Sequence, residues 1–554
     1  MVEQTKGGSV SKVQDNGDGV VRNSIYATWR EDKKAEAGYS RELISVRTPK
    51  QFMDNLAGQP NASEDCYTYL DYFEKSVTNR GFDRFLGTRQ RLADVDNKPV
   101  FGDYAWMTFT EVSQTTQNLA RGIHKLGLAA ETEGDGRKWN FIGIWAKNRQ
   151  EYLHTHLANM YFSFTTIGIF DSMGAEAVDF ITKQTELATL FTEQAYIPKI
   201  IAMKKDKLAT TVVNLVSYDP VKPADVEACK AVGITLVEYT YVVSQGTGDK
   251  TPFRKCKKDD FPIFSYTSGT TGDSKGVKLS HTNLLSSAQS ILPLVNLNRE
   301  DSIISYLPYP HSFEQVLLGY FLIIGGRIGY YSGDPLRLTE DCQSLQPSFF
   351  PSVPRLYNRI YSVLNGAINA AGGCKTWLAK KAIDSKTFYL KRDATYTDAC
   401  YDKLVFAKIC ARLGGKVKYM ITGSAPIDPQ VLEFFKVCFC CPVMEGYGLT
   451  EVSGGASVTY PDDPVAGHVG GPLPCVKWRL KDVPEMGYLS TDKPYPRGEL
   501  CMKGNTVFAG YYKRPDITNE AFEDGWFKTG DVCQVYPNGS VKIIDRSKNI
   551  FKLS

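Results

Sequence analysis

The stretch Tyr266-Thr267-Ser268-Gly269-Thr270-Thr271-Gly272-Asp273-Ser274-Lys275-Gly276 decides how the rest of this chain is read. Five small hydroxylated side chains (Thr267, Ser268, Thr270, Thr271 and Ser274) are interleaved with three glycines, and a single lysine closes the run. Glycine lets the backbone take positive φ and approach a ligand closely, so successive N–H groups can converge on phosphate oxygens while hydroxyls and an ammonium add donors. The composition therefore suits a polyphosphate. Phe261 to Ser265 reads as an apolar strand feeding the loop, and Val277 to Ser280 as a strand leaving it. An ordinary glycine-rich hairpin turn is the plain alternative, and it leaves Lys275 and the hydroxyls without a purpose. The P-loop does not fit, because its lysine is followed by Ser or Thr at the start of a helix; here Gly276 and Val277 follow.

On both sides of this stretch, short apolar runs alternate with amphipathic segments. Upstream, Thr108-Phe109-Thr110-Glu111 has capping-box form and opens a helix with Val112, Leu119, Ile123 and Leu126 on one face and Gly127 at its end. Residues 129–138 read as a polar loop. Strands are expected at Asn140–Trp145, Thr165–Ile169, Ala188–Phe191, Val212–Val216 and Ile234–Val237, with helices at 149–162 and 174–184. Downstream, strands at Ile303–Leu307, Arg327–Tyr331, Ser348–Phe350 and Val417–Thr422 alternate with helices at about 312–324, from Arg355, near 403–413 and after Asp428-Pro429. Lys375 to Asp402 reads as a lysine-rich insertion. Strands alternating with helices imply parallel βαβ units in open sheets covered on both faces, hence an α/β fold. From Gly467 onward, glycine and proline punctuate short β-rich runs. The expected organisation is a loose leader at 1–45, paired α/β subdomains at 46–466, a β-rich subdomain at 467–547, and a hinge at 548–554.

The chain has 554 residues, enough for two or three packed subdomains. Its +4 net charge comes from 65 basic and 61 acidic residues, a balance that argues against nucleic acid as a partner. The odd number of cysteines, 13, follows no regular spacing, which favours free thiols in a reducing compartment. Cys438, Cys440 and Cys441 lack zinc-site spacing and read as a buried strand. Residues 1–36 have no apolar core segment of a signal peptide or anchor, and Val316 to Ile324 is far short of the ~20 residues that span a bilayer. A cytoplasmic setting is expected, with peripheral membrane contact left open and the oligomeric state not legible.

Three later segments complete the reading. Glu445-Gly446-Tyr447-Gly448-Leu449-Thr450-Glu451 follows an expected strand, where an open α/β sheet binds its ligands. Its tyrosine offers a flat face to a purine, and its threonine and glutamate suit a phosphate and a hard cation. Read alone it is also a glycine turn with a surface glutamate. Gly423-Ser424-Ala425-Pro426 is a tight strand-to-helix turn. Asp524-Gly525-Trp526-Phe527-Lys528-Thr529-Gly530-Asp531 supplies a carboxylate suited to two vicinal ribose hydroxyls, and Asp545-Arg546-Ser547-Lys548 adds a guanidinium; a surface charge cluster is the plain alternative.

Together with the first stretch, these segments resemble the adenylate-forming superfamily of acyl-CoA synthetases, luciferases and peptide-synthetase adenylation domains. The resemblance implies that Thr267, Ser268, Gly269, Thr270, Thr271 and Gly272 hold the β- and γ-phosphates of ATP. It implies that Lys275 and Thr450 act on the reacting phosphates and that Glu451 helps hold Mg²⁺. Gly423, Ser424 and Ala425 would border the adenine and the acyl carboxylate, with Glu445, Gly446, Tyr447 and Gly448 on the nucleotide, Asp531 and Arg546 on the ribose, and Lys548 at the hinge between large and small domains.

Leu307-Pro308-Tyr309-Pro310-His311-Ser312-Phe313-Glu314 and the apolar run after it resemble the wall of an acyl pocket. Ser352-Val353-Pro354-Arg355-Leu356-Tyr357 and Ala466-Gly467-His468-Val469-Gly470-Gly471-Pro472-Leu473-Pro474 resemble the long-chain acyl-CoA synthetases of eukaryotes. His311 reads either as a group at the acyl carboxylate or as a satisfied core histidine. The implied activity is ATP-dependent ligation of a long-chain fatty acid to coenzyme A through an acyl-adenylate. The alternatives are a ligase for medium-chain or aryl acids and a non-catalytic acyl- or nucleotide-binding relative. The family continues past the hinge with a small mobile domain, so this chain is expected to stop short of it and to lack full activity.

Overall fold

The computed structural model describes residues 24–50, 65–95, 98–268 and 274–546. Three sheets organise them, of seven, eight and nine strands. Seven strands of the eight-stranded sheet run, in spatial order, Thr235–Glu238, Asn214–Ser217, Thr189–Thr192, Arg137–Trp145, Thr165–Ile169, Ile263–Ser268, Ser274–Leu279, and the eighth, Glu131–Gly134, pairs with Arg137–Trp145. Along that order of seven, neighbours are parallel up to Ile263–Ser268, and the last pair is an antiparallel hairpin. The nine-stranded sheet has a parallel centre built from Val443–Tyr447, Tyr419–Thr422, Phe349–Ser352, Ser302–Ser305 and Arg327–Tyr330. These strands are buried almost throughout and carry apolar residues on both faces, as sheets sandwiched between helices must. The α/β expectation holds, and a β-rich sheet follows at the chain's end.

The two α/β sheets are cross-tied just behind the loop that carries His311. Tyr152 stacks on Tyr309 at 4.6 Å. Asn148 receives the Tyr309 N–H at 3.1 Å and donates to the Leu307 carbonyl at 2.6 Å. Gln315 donates to the Tyr309 carbonyl at 2.7 Å, and the Ser265 hydroxyl donates to the Pro310 carbonyl at 2.6 Å. Every one of these polar groups is buried, so each bond lost would leave a partner without water to replace it.

Three elements differ from the sequence expectation. Residues inside the supposed loose leader form strands Ala27–Trp29 and Leu43–Ser45, and these extend the β-rich sheet through Leu43 opposite Trp478. Leu43 and Ile44 are buried there, and Glu42 and Glu36 pair with Lys477 and Arg479 at 2.8 Å each. Three-residue strands whose partner lies hundreds of positions away leave no period to read. The polar segment 129–138 is a hairpin, Glu131–Gly134 against Arg137–Trp145, turned by Asp135 and Gly136 at φ 50° and 71°. That Asp-Gly pair is the favoured two-residue turn, and its signal was in the sequence. The cysteine cluster is not a strand: Cys438 ends the helix Pro429–Cys438 and Cys440 occupies a turn at φ 57°. Among the described residues no helix is long and apolar enough to cross a membrane.

Candidate active site

One cavity of about 840 Å³ lies where the three sheets meet. Thr267 and Lys275 reach it from opposite positions of the hairpin Ile263–Ser268 and Ser274–Leu279. Gly276, next to Lys275, faces the Tyr266 ring, which a Cβ would meet at 2.9 Å. Lys275 is thus on the strand that leaves the loop. Gly269, Thr270, Thr271 and Gly272 fall outside the described residues, as does Lys548. Ser268 is the last residue of its strand.

The nine-stranded sheet contributes its carboxyl ends. Thr422, Gly423 and Ser424 line the cavity from Tyr419–Thr422, and Ser424 holds φ 70°, a conformation that costs a non-glycine residue energy and turns the chain sharply there. Ala425 is exposed and is not among the lining residues. From Val443–Tyr447 and the turn after it come Gly446, Tyr447, Gly448, Thr450 and Glu451. Gly454, at φ 75°, lets this turn press on the backbone of Ser312, where a Cβ would come within 2.7 Å. Glu445 points away into the packed interior; its second carboxylate oxygen has no partner among the described residues, and burial pushes its pKa up to about 7 against the pull of Lys436.

The β-rich sheet closes the opposite wall. Asp531 and Arg546 face each other across two antiparallel strands, with the guanidinium Nε 3.0 Å from one carboxylate oxygen. The Tyr447 hydroxyl donates to the other at 2.7 Å. Four lone-pair sites on a carboxylate leave room for two ribose hydroxyls beside these partners. Burial and the Asp531 charge hold the Tyr447 phenol protonated far above its ordinary range.

His311 stands at the N-cap of helix Ser312–Ile324 and lines the cavity with Ser312 and Phe313. Its Nδ1 accepts the Phe313 N–H at 3.1 Å, which leaves the proton of the neutral ring on Nε2. Burial lowers its pKa, so the ring is neutral near pH 7. After Ser312, Phe313 and Val316 of this apolar helix reach the cavity, while Leu317, Tyr320 and Phe321 pack into the core. Ser312, Thr422 and Ser457, all on this cavity's lining, each have a buried hydroxyl without a partner among the described residues. Such groups are costly unless a ligand or water meets them.

A family profile described as AMP-binding enzyme matches residues 88–512. The chain belongs to the AMP-binding enzymes. It is 38% identical to fatty acyl-CoA synthetase A of Dictyostelium discoideum, over 89% of this chain and 72% of that protein. It is 37% identical to long chain acyl-CoA synthetase 6, peroxisomal, of Arabidopsis thaliana, over 94% of this chain and 72% of the relative. In fold it is similar to the adenylation domain of a carboxylate reductase from Mycobacterium chelonae, with a TM-score of 0.69, 21% identity, and coverage of 91% of this chain and 74% of that one.

This AMP-binding enzyme also places at its site a residue that the sequence reading passed over. Tyr511 donates its hydroxyl to Glu451 at 2.7 Å, and its ring centroid lies 5.5 Å from the Lys275 ammonium. It is held there by a bridge between Val277 and Tyr511 and by the Tyr512 N–H on the Gly276 carbonyl at 2.9 Å. The two charged groups thus share one aromatic wall. No local pattern marks Tyr511 as a site residue, because Glu451 and Lys275, the groups it meets there, lie 60 residues away or more. Lys528 and Thr529, within a segment singled out for Asp531, line the cavity as well.

Proposed function

We propose that this cavity is the adenylation centre of an ATP-dependent long-chain fatty acid–CoA ligase. The fatty-acid carboxylate attacks the α-phosphorus of ATP and pyrophosphate leaves; the thiol of coenzyme A then displaces AMP from the acyl-adenylate to give the thioester. The observation that carries this reading is convergence. A cation and hydroxyl on a hairpin edge, a threonine–glutamate turn, an Asp–Arg pair and a helix N-terminus with a neutral histidine all open onto the same space.

Each group has a task that its surroundings suit. Lys275 meets negative charge on the departing phosphates, supported by the face of Tyr511. Thr450 offers its hydroxyl to the α-phosphate, and Asp531 with Arg546 holds the ribose. The N-terminus of helix Ser312–Ile324, with His311 Nε2–H beside it, stabilises the carboxylate as it is brought in line. Magnesium fits the donor set, since Glu451 supplies a hard oxygen and Mg²⁺ is ordinarily held by one or two carboxylates with substrate phosphates completing its shell. When bound it offsets phosphate charge. The thirteen cysteines are all free thiols, which suits the reducing cytoplasmic side.

Purified chain given ATP, magnesium and a panel of fatty acids of graded length, aryl acids and amino acids tests the assignment. Carboxylate-dependent exchange between ATP and pyrophosphate should be greatest with long-chain fatty acids. Preference for aryl or amino acids would overturn the substrate class.

A further inference from the structure

The helix Gly373–Asp393 carries a repeat that the reaction does not use. Trp377-x-x-Lys380-Lys381 returns eleven positions later as Phe388-x-x-Lys391-Arg392. Eleven residues on a helix turn through three full circles plus about 20°, so the two units lie on one face, about 16 Å apart along the axis. The opposite face holds Ala382, Lys386 and Leu390, buried against the neighbouring structure. The repeat therefore points outward as a whole. Trp377 is 62% exposed and Phe388 58% exposed. Lys381 lies 4.9 Å from the Trp377 ring and Arg392 5.4 Å from the Phe388 ring.

A helix face left only to water has no use for two large aromatic rings along its centre line. Here the rings are flanked on both sides by cations, Lys380 and Lys391 on one and Lys381 and Arg392 on the other; Lys391 pairs with Glu433 and Arg392 with Asp393, so the outward charge is carried mainly by Lys380 and Lys381, with Asp384 the opposing charge between the units. Tryptophan and phenylalanine enter the headgroup boundary of a bilayer while long basic side chains extend to anionic headgroups. The helix is firmly mounted for this: Lys391 pairs with Glu433 at 3.0 Å, and Lys386 on the inner face pairs with Asp402.

We propose that the outward face of Gly373–Asp393 docks the protein on an anionic lipid surface through Trp377 and Phe388 and the cations Lys380 and Lys381. The inference is independent of the reaction assigned to the cavity. It is tested by co-sedimenting the intact chain with vesicles of mixed phosphatidylcholine and phosphatidylserine, against phosphatidylcholine alone. Binding to the mixed vesicles is expected, weakened roughly tenfold or more on neutral vesicles and at high salt. A Trp377→Ala, Phe388→Ala variant and a Lys380→Gln, Lys381→Gln variant should each lose about tenfold or more in affinity. Their vesicle-free ATP–pyrophosphate exchange and thermal midpoint should match the parent's, because these side chains are exposed and remote from the cavity lining. An intact chain that stays in the supernatant with mixed vesicles would overturn the proposal and leave the face to an acidic protein partner. Variants that sediment like the parent would overturn it equally, by assigning lipid binding to another surface.

Discussion

Glu445 and Glu451 stand six positions apart on one strand and its following turn, yet their surroundings are opposite. Glu451 borders the cavity, where it receives the Tyr511 hydroxyl and shares that ring with Lys275. Glu445 is sealed behind the sheet, with burial raising its pKa to about 7. Glu314, one helical turn from His311, goes further: burial pushes it up to about 8 against the hydrogen bond donated by Ser305. Burial thus favours the proton at Glu445 and Glu314, whereas at buried Asp301 and Asp463 the bonds from Lys418 and His468 outweigh burial and lower the pKa. For a site that must meet a polyphosphate, the charges that count are those on the wall, where Glu451 accepts from Tyr511 and Asp531 pairs with Arg546.

The wall side should break first at Lys275. Lys275→Ala is expected to slow fatty-acid-dependent ATP–pyrophosphate exchange by roughly 10²- to 10³-fold, the usual cost of one preorganised donor in the transition state. Fatty-acid binding measured without ATP should hardly change. Equal losses in both would make the lysine a structural group.

The interior side is tested through stability. Folded Glu314 keeps its proton up to about pH 8, whereas in the unfolded chain it releases it in the ordinary carboxylate range. Between those values the folded state binds more protons, so its stability falls as pH rises through the window. Glu314→Gln removes the titration and should flatten the fall by on the order of a few kcal/mol. Urea unfolding at pH values on either side of the window measures it. Parallel curves for parent and variant would mean that Glu314 is ionised in the fold.

Asp531 sharpens the wall itself. Asp531→Asn keeps the shape and loses the charge that both Arg546 and a ribose would use, so KM for ATP should rise about 10- to 100-fold. A matching fall in kcat with KM unchanged would move Asp531 from nucleotide binding to the chemical step.

Sequence and structure agree closely where a signal is local. The helix expected at about 312–324 spans Ser312–Ile324, and the strand at Thr165–Ile169 has the same bounds in both. A capping box and a continuous apolar run are read within one segment, and tertiary packing had nothing to override. The cavity's motifs were legible for the same reason: Thr450 and Glu451 share one turn, and Lys275 stands at the end of one glycine-rich stretch. What could not be read is what only folding brings together. Tyr511 serves Glu451 and Lys275 because a short bridge to Val277 seats it there. Ser312, Thr422 and Ser457 become notable only as buried hydroxyls around one space. Glu445, assigned to the nucleotide by its neighbours in sequence, is buried and outside the cavity lining although it shares a strand with Tyr447, so only the packing around it decides its place.

Tyr511 gives the smallest effect and the finest test of the difference between wall and interior. Tyr511→Phe deletes the hydroxyl that Glu451 accepts at 2.7 Å while keeping the ring beside Lys275. Phenol removal from a half-buried carboxylate costs about one hydrogen bond, so the loss in kcat/KM should be roughly 3- to 10-fold. Two directions are open to the freed carboxylate. If Glu451 serves a magnesium ion, the phenol competes for one of its oxygens and also aims the other, and the variant should change the magnesium concentration needed for half-maximal exchange. Glu451→Gln should change it further in the direction of weaker dependence, with the fold intact by thermal midpoint. If the Tyr511–Glu451 bond only ties the Thr450 turn to the segment 510–512, Tyr511→Phe should lower the thermal midpoint and leave the magnesium titration overlaying the parent's. The two outcomes separate an active carboxylate from a structural one.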